Sequence, residues 1–172
     1  MAQAEPPKDA IALLKADHRK VEDLFEQYES ASGKERKRKL AMEICMELTA
    51  HAMIEEEIFY PACKGAVEKD LIQEAYVEHD GAKVLIAEIE AGDPSEEFYD
   101  AKVKVLKEQI EHHVEEEEKR VEGMFSQARK AGVDVDRLGD EMLARKEELM
   151  EQFQTSGLPR PEPTTLNVVE AR

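Results

Sequence analysis

The segment VKVLKEQIEHHVEEEEKRVEGM, residues 103–124, decides how the rest of the chain is read. Val103, Leu106, Ile110, Val121 and Met124 recur at steps of three or four residues (counting the intervening His113 and Glu117), which lines them along one face of an α-helix. The two interruptions sit on that same face. His113 and, one turn later, Glu117 occupy positions that would otherwise be apolar core. A carboxylate taken out of water costs several kcal/mol, roughly, unless something cationic meets it.

Three other segments repeat the pattern. Ile11, Leu14, Val21, Phe25 and Tyr28 form a stripe that includes His18. Leu40, Ile44, Leu48, Ile58 and Ala62 form one that includes His51 and Glu55, and Ile72, Ala75, Ala82, Ile86 and Ile89 one that includes His79. The spacing predicts helices over about 9–31, from beyond Gly33 to about Ala62, and over 67–91. A fourth opens at Asp93, Pro94 and Glu96 in a capping-box-like start and runs to about Lys130. Pro61 fits the second helix only with a local kink. A fifth, shorter helix is expected after Asp134 or Asp136, reaching Gln154. TSGLPRPEPTTLNVVEAR, residues 155–172, has three prolines and no periodicity, and reads as a disordered tail or a surface strap.

The expected organisation is therefore a flexible lead-in over 1–8, a bundle over 9–131, an additional helix over 132–154 and a disordered tail over 155–172. The fold class is all-α, an up-down-up-down antiparallel four-helix bundle with an extra short C-terminal helix. Registry tests it. About Gly65, His51 and His79 lie equally far along the chain; about Gly92, His113 lies farther than His79, so the last helix must overhang its loop or the loop must climb.

Composition narrows the function. The formal net charge is −16 and 37% of residues are charged, so nucleic acid and anionic membrane surfaces are unfavourable partners. No apolar run approaches a membrane span and the start, MAQAEPPKDA, has no apolar signal region, so the expected location is cytoplasmic. Cys45 and Cys63 form no metal-binding or redox spacing and read as reduced structural residues.

A single core histidine is ordinarily a hydrogen-bonded interior residue. Four, one per helix, with two carboxylates on the same faces, call for bound cations. Imidazole with carboxylate and no thiolate suits iron, manganese or zinc. Six such side chains exceed what one tetrahedral zinc takes, and suit two metals bridged by both carboxylates with a shared oxo or hydroxo group.

At these residues the chain resembles the hemerythrin-like (HHE cation-binding) family. The matching segments are ADHRKVEDLF around His18, HAMIEEEIFYP around His51 and Glu55, VEHD around His79, and HHVEEEEKRVEGMF around His113 and Glu117. The resemblance covers about residues 8–130. It implies a non-haem centre of two iron ions, in preference to manganese or zinc, with His18, His51, His79 and His113 as terminal ligands and Glu55 and Glu117 as bridges. Oxygen-carrying members have a histidine pair four residues apart on the third helix; here Ala75 and Lys83 flank His79, which argues against reversible dioxygen carriage. The HxxxE spacing is similar to bacterial hemerythrin-like proteins with peroxide activity and to the C-terminal domain of the repair-of-iron-centres proteins.

The expected function is binding of, or reaction with, dioxygen, hydrogen peroxide or nitric oxide, with catalase-like peroxide dismutation as the candidate enzymatic activity. The alternatives are a non-enzymatic iron or oxygen sensor or reservoir, and an iron donor for iron–sulfur centre repair. Three neighbours are secondary candidates: Glu22 as an extra ligand, Tyr76 as a hydrogen-bond donor, and His112 beside His113.

Overall fold

The computed structural model describes residues 7–167. Most of the expected lead-in and the last five residues of the expected tail lie outside that range. Among the described residues the named elements are all helical: α1 (Ala10–Ser30), α2 (Lys34–Ile54), a π-helical turn (Glu55–Phe59), α3 (Tyr60–Cys63), α4 (Lys69–Ala91), α5 (Tyr99–Glu118), α6 (Met124–Lys130) and α7 (Val135–Ser156). Helices α1, α2, α4 and α5 form a ring in which α1 meets α2, α2 meets α4, α4 meets α5 and α5 returns to α1. This is the all-α bundle that the stripes call for.

Two apolar clusters fill the bundle. One gathers Ile11, Leu14, Ile54, Phe59 and Met142, and the other Val21, Phe25, Ile44, Ile86 and Leu106. The six polar stripe residues form the layer between them. His18 falls between Leu14 of the first cluster and Val21 of the second, and His79 between Ala75 and Ala82. Apolar burial above and below thus holds four helices at the height of the polar layer.

Helix α1 starts where Asp9 caps it, its carboxylate accepting from the Ala12 N–H at 2.8 Å. Helix α7 lies across α1 and α2. It approaches so closely that a Cβ on the buried Gly139 would stand 2.8 Å from the Ala10 nitrogen. A glycine is needed there for backbone contact.

The last long helix departs from expectation at both ends. The contacts of the capping box form, with the Asp93 N–H on Glu96 Oε1 at 3.0 Å and the Ser95 N–H on Asp93 Oδ1 at 2.9 Å. They close a turn, and α5 begins only at Tyr99. The loop therefore climbs, which removes the registry mismatch between His79 and His113. At the other end α5 stops at Glu118, because the chain folds back so tightly that a Cβ on Gly123 would sit 2.4 Å from the Lys119 oxygen. Val121, assigned to the stripe, is consequently 79% exposed, and the expected helix to Lys130 is two helices.

The disorder expected from residue 155 is not observed as far as residue 167. Helix α7 includes Thr155 and Ser156, and the following segment returns to the bundle. The Thr164 and Leu166 N–H groups donate to the Asp80 carboxylate at 2.8 and 2.9 Å, and the Thr165 hydroxyl at 2.7 Å. A buried carboxylate thereby finds its donors, and the segment is a strap. No helix of the described residues is long and apolar enough to cross a membrane.

Candidate metal centre

Each inward histidine is turned the same way, and its outer nitrogen shows why. His18 Nδ1 lies 2.6 Å from Glu118, His51 Nδ1 3.2 Å from Asp17, His79 Nδ1 2.9 Å from Glu56 and His113 Nδ1 2.6 Å from Glu78. A carboxylate at Nδ1 holds the proton there and presents Nε2, with its lone pair, to the centre. Those carboxylates are met in turn by cations or a further imidazole: Glu118 by Arg19 at 2.8 Å, Asp17 by Lys146, Glu56 by Lys83 at 3.0 Å, and Glu78 by His112 at 3.3 Å.

The four Nε2 atoms form two pairs. His18 and His51 approach to 3.2 Å, and His79 and His113 to 3.3 Å. Both fully buried glutamates reach between the pairs. Glu55 places Oε1 3.3 Å from His51 Nε2 and Oε2 3.1 Å from His79 Nε2. Glu117 places Oε2 3.2 Å from His18 Nε2 and Oε1 3.3 Å from His113 Nε2. Two groups that could hold a metal result, His18–His51–Glu55–Glu117 and Glu55–His79–His113, the second with Glu117 Oε1 beside His113. Ligands about 2.1 Å from one metal and at right angles stand about 3.0 Å apart, close to the separations found here.

The donor set fits cations on a second ground. Glu55 Oε1 and Glu117 Oε2 are buried and accept no hydrogen bond in the described structure. Four imidazole lone pairs and four carboxylate oxygens from buried side chains converge here, an arrangement of acceptors that needs positive charge. Protons supply it when no metal does. Burial opposes protonation of His51, yet Glu55 and Asp17 outweigh it and lift its pKa to about 10. His113 is likewise held well above its ordinary value, against burial, chiefly by Glu117. Glu55 is held well below the usual carboxylate range, again against burial, by His51 and the other imidazoles.

Tyr60 also belongs to this centre, and the helical stripe does not reveal it. Its Oη lies 3.1 Å from Glu55 Oε2, 3.1 Å from Glu117 Oε1 and 3.2 Å from His79 Nε2. Five residues after Glu55 on an α-helix, a side chain points well away from the stripe. The π-helical turn, with the Tyr60 N–H bonded to the Glu55 oxygen, brings it back. Pro61 follows at once, has no N–H to give, and makes an irregular turn natural at this point. Burial, then Glu117 and Glu55, push the Tyr60 phenol well above its ordinary pKa, so it stands as a neutral donor among acceptors.

The secondary candidates lie apart. Glu22 pairs with Arg19 at 3.3 Å on the surface. Tyr76 packs edge-on against Tyr60 with ring centroids 5.3 Å apart. His112 is exposed and pairs with Glu78 at 3.3 Å. Cys45 and Cys63 are free and buried, their thiols pushed up to about 12 by burial.

Residues 9–125 match the family model of the hemerythrin HHE cation binding domain. A curated relative, the DNA nickase of Nostoc sp. (strain PCC 7120 / SAG 25.82 / UTEX 2576), is 31% identical over 106 residues. Those residues make up 62% of this chain and 30% of the nickase, so the chain spans less than a third of that relative's length. Among solved structures, a hemerythrin HHE cation binding domain-containing protein from Mycobacterium kansasii, the Rv2633c homolog, superposes with a TM-score of 0.71. The match covers 87% of this chain and 94% of that one at 25% identity.

Proposed function

The chain belongs to the hemerythrin HHE cation binding domain family, and from that premise we propose that it is a non-haem di-iron protein that binds or reacts with hydrogen peroxide, dioxygen or nitric oxide. The observation that carries the reading is the convergence of six buried side chains in two groups that could hold a metal, His18–His51–Glu55–Glu117 and Glu55–His79–His113, with the second oxygen of Glu117 3.3 Å from His113 Nε2. His18 and His51 would hold one iron, His79 and His113 the other, and Glu55 and Glu117 both. Iron held there supplies electrophilic, redox-active positions, which dismutation of peroxide or capture of a diatomic requires.

The protein's own groups have separable tasks. The carboxylates at Nδ1 fix each imidazole tautomer and ring direction. Tyr60 Oη, close to His79 Nε2 and to one oxygen of each glutamate, would offer a further oxygen on the His79–His113 side. The phenol is also the group placed to hold a proton at the centre and donate it in a hydrogen bond, its oxygen lying within 3.2 Å of three inward atoms. The apolar clusters pack above and below the layer and fix its height in the bundle. A chain of net charge −16 repels polyanions, so the reading does not take up the nicking of DNA that names the longer relative.

Elemental analysis of protein from iron-replete cells tests the proposal together with oxygen release from added peroxide. About two irons per chain and peroxide-dependent oxygen release are expected. Zinc alone, or no metal, overturns it. Glu55→Ala should lose at least one iron and the peroxide activity; a variant that keeps both irons removes the bridging role.

A further inference from the structure

A chamber of about 500 Å³ opens beside the four imidazoles and runs outward between α2 and α4. Hydrogen peroxide or a diatomic needs a volume on the order of one water, about 30 Å³. The chamber instead falls in the range of sites that enclose small organic molecules. Its walls are largely apolar, with Leu48, Met53 and Ile86 from the flanking helices, Ile110 and Val114 from α5, and Leu158 from the strap.

The strap is built as an outer wall. Pro159 and Pro161, which line the chamber, each remove an N–H that would otherwise need a partner there, and each fixes its own backbone torsion. Beyond them, four hydrogen bonds to Asp80 from Thr164, Thr165 and Leu166 fasten the far end, and Lys83 donates to the Glu162 backbone oxygen at 3.4 Å. Asp80 is fully buried under this segment. The same Lys83 meets Glu56, the carboxylate on His79, so the fastening and the metal centre share a residue.

The charge of the mouth selects the occupant. Glu90 and Glu162 line it with Arg160, while Glu57 is engaged by Arg145 and the Lys83 ammonium by Glu56 and Asp80. Acidic groups outnumber the uncommitted cation, which disfavours a carboxylate or sulfonate head group. We propose that the chamber is a binding site for an uncharged apolar organic molecule, enclosed by the strap of residues 158–166 and placed against the histidine layer. The proposal adds an organic ligand to the functional reading, but binding itself rests on the chamber and not on the metals.

Titration of the full chain with N-phenyl-1-naphthylamine, a neutral apolar fluorophore, tests it. One saturable site per chain is expected, with 1-anilinonaphthalene-8-sulfonate, its anionic counterpart, at least about tenfold weaker. Ile86→Trp should fill the chamber and weaken the neutral probe by about tenfold or more. Ala87→Trp, at a half-buried lining position, gives the same test with less demand on the core. Asp80→Asn should loosen the strap and speed probe release by about tenfold. Absence of saturable binding, equal affinity for the two probes, or unchanged affinity in both tryptophan variants with native helix content overturns the proposal. Unchanged probe release in Asp80→Asn removes the strap as the closure. Probe binding by a protein without iron sinks only the functional reading; two irons without probe binding sink only the chamber.

Discussion

Lys146→Met is the substitution with the most to reveal, because Lys146 stands outside the matched domain yet touches its centre. Its side chain is 15% exposed, and its ammonium pairs with Asp17 and, at 3.2 Å, with Glu47. Asp17 accepts from His51, a proposed ligand, so α7 is tied to the metal layer through one carboxylate. Methionine keeps the aliphatic stem and removes only the charge. Breaking a buried ion pair from one side costs about 3–5 kcal/mol. Here Asp17 keeps His51 and Glu47 keeps the half-exposed Lys20, so the expected loss is smaller, about 2–3 kcal/mol. Urea unfolding at neutral pH measures it as a lower midpoint with an unchanged slope. The pH dependence has a definite sign. Burial lowers the Lys146 pKa, but Asp17 and Glu47 outweigh it and the folded value is raised. The contribution is therefore complete below the unfolded pKa of about 10.4 and fades as pH rises through the folded value. The gap between wild type and variant should be constant from pH 7 to 9 and narrow in stronger alkali. A loss below about 0.5 kcal/mol at pH 7 would refute the coupling of α7 to the centre, since that is the scale of an ordinary surface substitution.

Two further outcomes follow from the geometry. Tyr60→Phe preserves the ring and removes one oxygen from the second ligand set; one of two irons should be lost to a competing chelator about 10–100-fold more readily, and equal retention of both excludes Tyr60 from the centre. Asp9→Ala removes the α1 cap and the 2.9 Å partner of Arg129, and should lower stability by about 1 kcal/mol in urea unfolding. Burial raises the Asp9 pKa, but the Ala12 N–H and Arg129 outweigh it and depress the folded value. The contribution is thus present above the unfolded pKa of about 3.9 and lost as pH falls through the folded one, so a gap between the two proteins that does not shrink on acidification contradicts the assignment.

How much of this could be read from the chain depends on where each residue sits in its helix. His18, His51, Glu55, His79, His113 and Glu117 interrupt apolar stripes, and periodicity alone places them in the interior. The bundle follows from the same stripes. Tyr60 lies off the stripe by α-helical counting and is returned by a π-helical turn; the signal was the Tyr60–Pro61 pair inside a helix, which marks irregularity without giving its direction. Val121 fits the period but follows the end of α5, because the tight turn at Gly123 is a backbone requirement that a hydrophobic pattern does not register. The strap has no periodicity, and its order comes from one distant acceptor, Asp80.

The carboxylates at Nδ1 look like members of solvated acidic runs, yet they obey a rule set by chain direction. Each is the immediate neighbour of a proposed ligand and serves a different helix: Asp17 of α1 serves His51, Glu56 after α2 serves His79, Glu78 of α4 serves His113, and Glu118 of α5 serves His18. The relay runs once around the ring. A residue next to an inward one is turned about 100° around the helix and so faces a neighbouring helix. Which neighbour it faces depends on whether it precedes or follows the ligand and on whether the helix runs up or down. In an antiparallel ring the direction alternates, so the carboxylate must alternate between preceding and following its ligand if the relay is to keep one sense. It does: Asp17 precedes His18, Glu56 follows Glu55, Glu78 precedes His79 and Glu118 follows Glu117. Arg19 and Glu116 lie on the other side of their ligands, and a carboxylate supplied only there would be directed to the opposite helix. The pairs DH, EE, EH and EE therefore encode both the up-down topology and the orientation of every imidazole, and they become legible only once the direction of each helix is known.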